Sequence, residues 1–229
     1  MSKKMHGMVV AIDGPSGAGK STVSRLLAKR LGYLQIDTGA MYRATALLMS
    51  REGIDFEDLK SVKNFCEHID IKLDSVDGSQ HVLANGHDVT EQIRSSEMSL
   101  LTSRISALKP VREALMRAQR EMGKNGGVVL EGRDIGTVVF PDAELKFFLS
   151  ASPEERGRRR FAELVVKGEK VTLENTINDV IQRDEQDIKR DLAPLRQAED
   201  AIVIDSSALA IDEVLDLMEK YVKQKTEEN

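Results

Sequence analysis

Residues Gly14-Pro15-Ser16-Gly17-Ala18-Gly19-Lys20-Ser21 have the spacing G-x-x-x-x-G-K-S, and their surroundings constrain them further. An apolar run, Met8-Val9-Val10-Ala11-Ile12, comes before them, and a helical pattern over 20–31 follows at once. Strand, glycine loop and helix in this order build a phosphate cradle. Glycines let backbone N–H groups converge on a polyphosphate, and the helix N-terminus adds positive potential. In such a loop the lysine, here Lys20, reaches the β- and γ-phosphates, and the hydroxyl of Ser21 holds Mg²⁺. Asp13 through Ser21 is therefore the candidate nucleoside triphosphate site.

The rest of the chain alternates short apolar runs with amphipathic stretches. Strands are expected at 8–12, 33–36, 127–131, 144–149 and 201–205, and helices at 20–31, 39–52, 109–123, 153–166, 172–190 and 211–223. That alternation predicts an α/β fold, a parallel five-stranded sheet with helices on both faces. The unbroken apolar character of Val128-Val129-Leu130 and the run Lys146-Phe147-Phe148-Leu149 suit interior strands. One segment breaks the rhythm. Between Asp70 and Thr90, Asn85-Gly86 is a type I′ hairpin signal and Asp77-Gly78 a second turn signal. A small antiparallel insert is expected over about 67–99, forming one wall of a second site. The domain reading is a single phosphate-loop domain over 1–229, with a core of about 8–66 and 100–222, this insert, and a short helical lid over about 153–170.

Among 229 residues, 33 are basic and 38 acidic, a formal net charge of −5. A net acidic chain has no general attraction for nucleic acid or anionic membrane, so anion binding must come from local arginine clusters. The one cysteine, Cys66, excludes an intrachain disulfide and a cysteine metal cage and is expected as a small apolar helix residue. No segment reaches the length of a membrane span, and the run at Met8 is broken by Asp13 and glycines, unlike a signal peptide. A cytoplasmic protein is expected. Without a coiled-coil pattern, a monomer is the default.

Three further clusters carry chemistry. Asp37-Thr38-Gly39-Ala40-Met41-Tyr42-Arg43 follows the second strand, at the carboxyl end where parallel sheets bind ligands. Thr38 is expected to cap a helix, Arg43 to fork onto a phosphate, and Tyr42 to offer a ring or hydroxyl. Glu131-Gly132-Arg133-Asp134 ends another strand. Its charges need partners, either a nucleotide or an internal pair of Arg133 with Asp134 or Glu131. Behind Ser152, expected as an N-cap, and Pro153, the residues Arg156, Arg159 and Arg160 share a helix face. That cluster would repel itself without an anion. It is either a solvated basic face or a lid closing over transferring phosphates. Arg183, Asp187 and Arg190 share a later helix face and, on their own, read as a surface salt-bridge ladder.

Taken together, 12–21, 37–43, the string Glu131-Gly132-Arg133-Asp134-Ile135-Gly136-Thr137-Val138-Val139-Phe140-Pro141-Asp142-Ala143, and 183–190 resemble the bacterial cytidylate kinases, within the phosphate-loop nucleoside monophosphate kinases. The resemblance implies transfer from ATP to CMP or dCMP with Mg²⁺. It implies acceptor contacts by Thr38, Arg43, Ser103, Arg112, Arg133, Asp134, Arg183 and Asp187, which turns the 183–190 ladder from decoration into a binding element. Tyr42 joins them from the reading of its own cluster. Arg156 and Arg160 join the ATP site, and Lys20, Arg133 and Arg159 are the candidate catalytic residues. The competing classes are a GTPase switch, a non-catalytic nucleotide sensor, and a kinase of another small molecule such as shikimate. No Asn-Lys-x-Asp string supports the first.

Overall fold

The computed structural model describes residues 7–76 and 79–228. The turn expected at Asp77-Gly78 lies outside the described residues. The chain divides into two compact units, 36–124 forming one and the flanking segments 1–35 and 125–229 the other.

The first unit carries β1 (Val9–Asp13), α1 (Lys20–Leu31), β6 (Val128–Gly132), β7 (Leu145–Ser150), α6 (Pro153–Val166), α7 (Leu173–Lys189), β8 (Ile202–Asp205) and α8 (Ile211–Glu227). Strand β2 (Leu34–Asp37) starts within it. Among the described residues, these strands form a five-stranded sheet in the order β2-β6-β1-β7-β8, with β1 parallel to both β6 and β7, and β7 parallel to β8. The interior strands are β6, β1 and β7, of which the apolar runs predicted β6 and β7. Because strand side chains alternate, Val10, Ile12, Leu145, Phe147 and Leu149 share one core, which α1 covers with Val23 and Leu27, and α8 with Leu215 and Met218. The opposite alternation leaves Lys146 buried, and its ammonium pairs with Asp200 at 2.8 Å.

The second unit holds α2 (Thr38–Arg51), α3 (Leu59–His68), the antiparallel strands β3 (Ile71–Val76), β4 (Ser79–Ala84) and β5 (His87–Asp88), α4 (Ser96–Ile105) and α5 (Lys109–Gly123). Asn85 at φ 50° and Gly86 at φ 81° make the β4–β5 turn. Both central residues of a type I′ turn need positive φ, which asparagine tolerates and glycine adopts without cost.

Two helices escaped the sequence reading. In α3, Asp58 accepts from the amides of Lys60 and Ser61, and Val62, Phe65 and Cys66 are buried at i, i+3, i+4. Cys66 is thus the expected apolar helix residue. In α4, Ser95 caps Met98, and Met98, Thr102 and Ile105 are buried. The segment 96–99, expected within the antiparallel insert, is helical because this spacing of four and three closes on the helical period.

Candidate active site

The phosphate loop leaves β1 at Asp13. Gly14, at φ +147°, passes so near β7 that a Cβ there would lie 2.0 Å from the Leu149 carbonyl oxygen, so the loop's first position admits only glycine. Helix α1 opens at Lys20 with no side-chain cap, which leaves its first amides aimed into the loop. The Lys20 ammonium donates to the Pro15 carbonyl at 2.6 Å. Burial and the charge of Arg133 push its pKa well below the usual lysine range, opposed by Glu131 and Asp13. A polyphosphate would supply the missing negative charge and hold this amine protonated.

Glu131, buried at the end of β6, accepts from the Ser21 hydroxyl at 2.8 Å, from Ser24 at 3.0 Å and from the Gln35 amide at 3.3 Å. In sequence it is a strand-end charge to be met by a nucleotide or by Arg133, and its serine partners are not foreseen. The signal was an acid closing an apolar strand beside a phosphate loop. Ser21 and Glu131 together offer hard oxygen donors suited to Mg²⁺, which takes few protein ligands and completes its shell with phosphate and water. Among the described residues no group of three or more His, Cys, Asp or Glu side chains could hold an ion unaided.

Asp13 turns to the segment after β6, accepting from the amides of Ile135 and Gly136 at 2.8 and 2.7 Å. Burial raises its pKa to about 6 against those two hydrogen bonds. Residues Ile135–Val139 form a single wide helical turn behind Asp134.

The charges of the 131–134 corner find protein partners that differ from the internal pairs weighed in sequence. Arg133 donates through Nε to Asp187 at 2.8 Å, and Arg190 lies 3.6 Å from both Asp134 and Asp187. The α7 residues that on their own read as a surface ladder are therefore turned inward at Asp187, which is buried. Burial drives the Asp187 carboxyl upward, but the charges of Arg133, Arg183 and Arg190 outweigh it and leave the group below the ordinary aspartate range. Arg190, read in sequence only as part of the α7 ladder, is a further member of this cluster.

The α6 arginines are not an unneutralised cluster. Arg156 is buried against Asp184 at 2.6 Å, Arg159 meets Glu155 at 3.2 Å, and Arg160 meets Glu163 at 3.0 Å. Arg159 also donates to the Ser206 hydroxyl at 3.1 Å and to its carbonyl at 2.6 Å. Helix α6 starts as expected, with Ser152 accepting from the Glu155 amide and Pro153 in the first turn.

The second unit carries Thr38, Tyr42, Arg43, Ser103 and Arg112. The α2 cap is Asp37, not Thr38: its carboxylate accepts from the Ala40 amide at 2.8 Å, leaving Thr38 buried in the first turn. Aspartate one residue earlier has the same reach to the third amide, so it takes the cap. The other Asp37 oxygen meets Arg43 at 3.2 Å. On α5, Arg112 lies 5.8 Å from the Tyr42 ring centroid and donates to the Ser106 carbonyl at 3.2 Å. Ser103 sits half-buried on α4.

The cytidylate kinase family model matches residues 10–224. The chain belongs to the cytidylate kinase family. It is 60% identical to a cytidylate kinase of Geobacter sp. (strain M21), over 96% of this chain and 94% of that one. It is 58% identical to that of Geobacter sulfurreducens, with the same two coverages, and 44% identical to that of Vibrio cholerae serotype O1, over 96% of this chain and 98% of that one. Among solved structures, a gluconokinase from Sinorhizobium meliloti 1021 superposes with a TM-score of 0.50 at 14% identity, covering 99% of this chain and 97% of that one, a likeness of fold. In this cytidylate kinase family member the phosphate loop, the Gly-Arg-Asp corner and α7 belong to one compact unit.

Proposed function

We propose that the chain transfers the γ-phosphoryl group of ATP to CMP or dCMP, giving CDP or dCDP and ADP, in pyrimidine nucleotide metabolism. The observation that carries the reading is the 131–134 corner at the end of β6, charged, buried and adjacent to the phosphate loop in one family-assigned unit. Phosphoryl transfer requires placement and charge neutralisation rather than covalent help. On the donor side, the loop amides and Lys20 hold the polyphosphate, with Arg156, Arg159 and Arg160 contributed by the lid segment 153–170. Ser21, backed by Glu131, would hold Mg²⁺. When bound, that ion neutralises charge on the β- and γ-phosphates. Lys20 exchanges the Pro15 carbonyl for phosphate, and Arg133 and Arg159 balance the charge of the migrating group.

The acceptor is assigned to Thr38, Tyr42, Arg43, Ser103 and Arg112 of the second unit and to Arg133, Asp134, Arg183 and Asp187 of the first. Asp134 accepts from the exocyclic amine of cytosine. Uracil has a carbonyl at that place, so acceptor faces acceptor, and a polar site of this kind discriminates by roughly 10⁴. The enzyme is read as a cytoplasmic monomer that binds neither nucleic acid nor membrane. Among the described residues no helix is long and apolar enough to cross a bilayer. Coupled ADP release with CMP, UMP, AMP and GMP tests the reading. CMP is expected to turn over fastest, and an enzyme that ignores CMP while phosphorylating another monophosphate overturns it.

A further inference from the structure

Ser16, at the crest of the phosphate loop, is held on both sides of its peptide by side chains far away in sequence. Its amide donates to Asp184 of α7 at 3.4 Å, and its carbonyl accepts from Nη1 of Arg156 of α6 at 2.9 Å. Those two side chains pair with each other at 2.6 Å, with only 4% of the Arg156 side chain and 13% of the Asp184 side chain exposed. Arg156 is anchored a third time, through Nε on the carbonyl of Ala151 at the end of β7. The next residue, Gly17, rests on the same turn of α6, where a Cβ would come within 3.1 Å of Arg156 Cβ. One turn further along α7, Asp187 receives Arg133. Helix α7 therefore presents one carboxylate to the phosphate loop and another to the Gly-Arg-Asp corner, three residues apart and so on one face.

The structure assigns Asp184 and Arg156 a positioning role: together they clamp the crest of the phosphate loop to α7, fixing the loop's amides relative to the residues that α7 contributes to the acceptor. Neither side chain needs to touch a reacting atom for this. Arg156 spends Nε and Nη1 on Ala151, Ser16 and Asp184, which makes it a brace under the loop. A loop whose crest is pinned keeps its amides convergent before the polyphosphate arrives, so less ordering is needed on binding.

The inference rests on the two-substrate kinase reading, and the experiment separates the two. Asp184→Asn keeps the shape of the side chain and removes its charge. Its KM for ATP is expected to rise about tenfold, with kcat and the KM for CMP within about threefold of the parent, and the affinity for the non-hydrolysable β,γ-imido analogue of ATP falling in step. Arg156→Lys keeps a cation but cannot hold both carbonyls and the carboxylate, and the double variant should be no worse than Asp184→Asn alone. If Asp184→Asn fails to fold, Arg156→Lys must by itself raise the KM for ATP about threefold or more. Unchanged analogue affinity in folded variants, equal losses on both substrates and in kcat, or additive effects in the double variant overturn the clamp. A parent that phosphorylates no monophosphate overturns the kinase reading instead, and analogue binding then still decides the clamp.

Discussion

Around the phosphate loop, charged groups are held by partners more than fifty residues away: Glu131 by Ser21 and Ser24, Arg133 by Asp187, and Arg156 by Ser16. In the second unit each candidate arginine has a hydrogen-bond partner close by in sequence. Arg43 pairs with Asp37 and Arg112 donates to Ser106, each six residues back along the chain. The first arrangement is closed and desolvated, so removing one member strands another inside the protein. The second is partly open, and its arginines can exchange a local partner for a ligand phosphate at little cost. On the proposed reading, one region is pre-formed for the donor, while the other supplies adjustable contacts.

Lys20→Ala should produce the largest effect. Loss of a cation at the transferring phosphates is expected to lower kcat by about 10⁴-fold while calorimetric titration shows CMP binding nearly unchanged. Retained turnover would remove the loop from the donor role. Next comes Asp134→Ala, expected to lower kcat/KM for CMP by about 10³-fold and for UMP by less than about tenfold. Equal losses would take Asp134 out of base reading.

Asp13 gives a pH test of the buried region. Its folded pKa, about 6, stands above the ordinary 3.8. The folded state therefore holds this proton more tightly, and stability from this group is present at low pH and lost as the pH rises from about 4 to about 6. Denaturant titrations should show the parent losing about 3 kcal/mol relative to Asp13→Asn across that window and nothing more above it. A constant difference would mean that Asp13 is ionised throughout. The smallest effects set the two regions directly side by side. Arg133→Ala should lower the unfolding free energy by about 2 kcal/mol, with Arg190 still beside Asp187, whereas Arg43→Ala should cost less than about 0.5 kcal/mol and raise the KM for CMP. Equal destabilisation by both would erase the contrast.

Much of this was legible in the chain. The five parallel strands, the Asn85-Gly86 turn and the Ser152 cap follow from patterns a few residues long, whose physics is local. The same holds for the phosphate loop, where glycine spacing and flanking periodicity specify a backbone path by themselves. Helices α3 and α4 were within reach too, since Asp58 and Ser95 stand where caps belong, but at 10 residues each they offer few turns over which an apolar stripe repeats. Asp37 in place of Thr38 as the α2 cap is a contest between adjacent residues that composition does not decide.

Pairing was a different matter. The sequence established which charges exist and that the strand ends would carry them, and the motif spacing by itself selected the phosphate-binding chemistry. It did not say that Glu131 would serve the two serines of α1, that Asp187 would turn inward to Arg133, or that Arg156 would lie beneath the loop. Those choices follow from which side chains the sheet order and the α6–α7 packing bring within hydrogen-bond range. A buried charge takes whichever partner the fold delivers, because leaving it unpaired costs more than any local preference can offset.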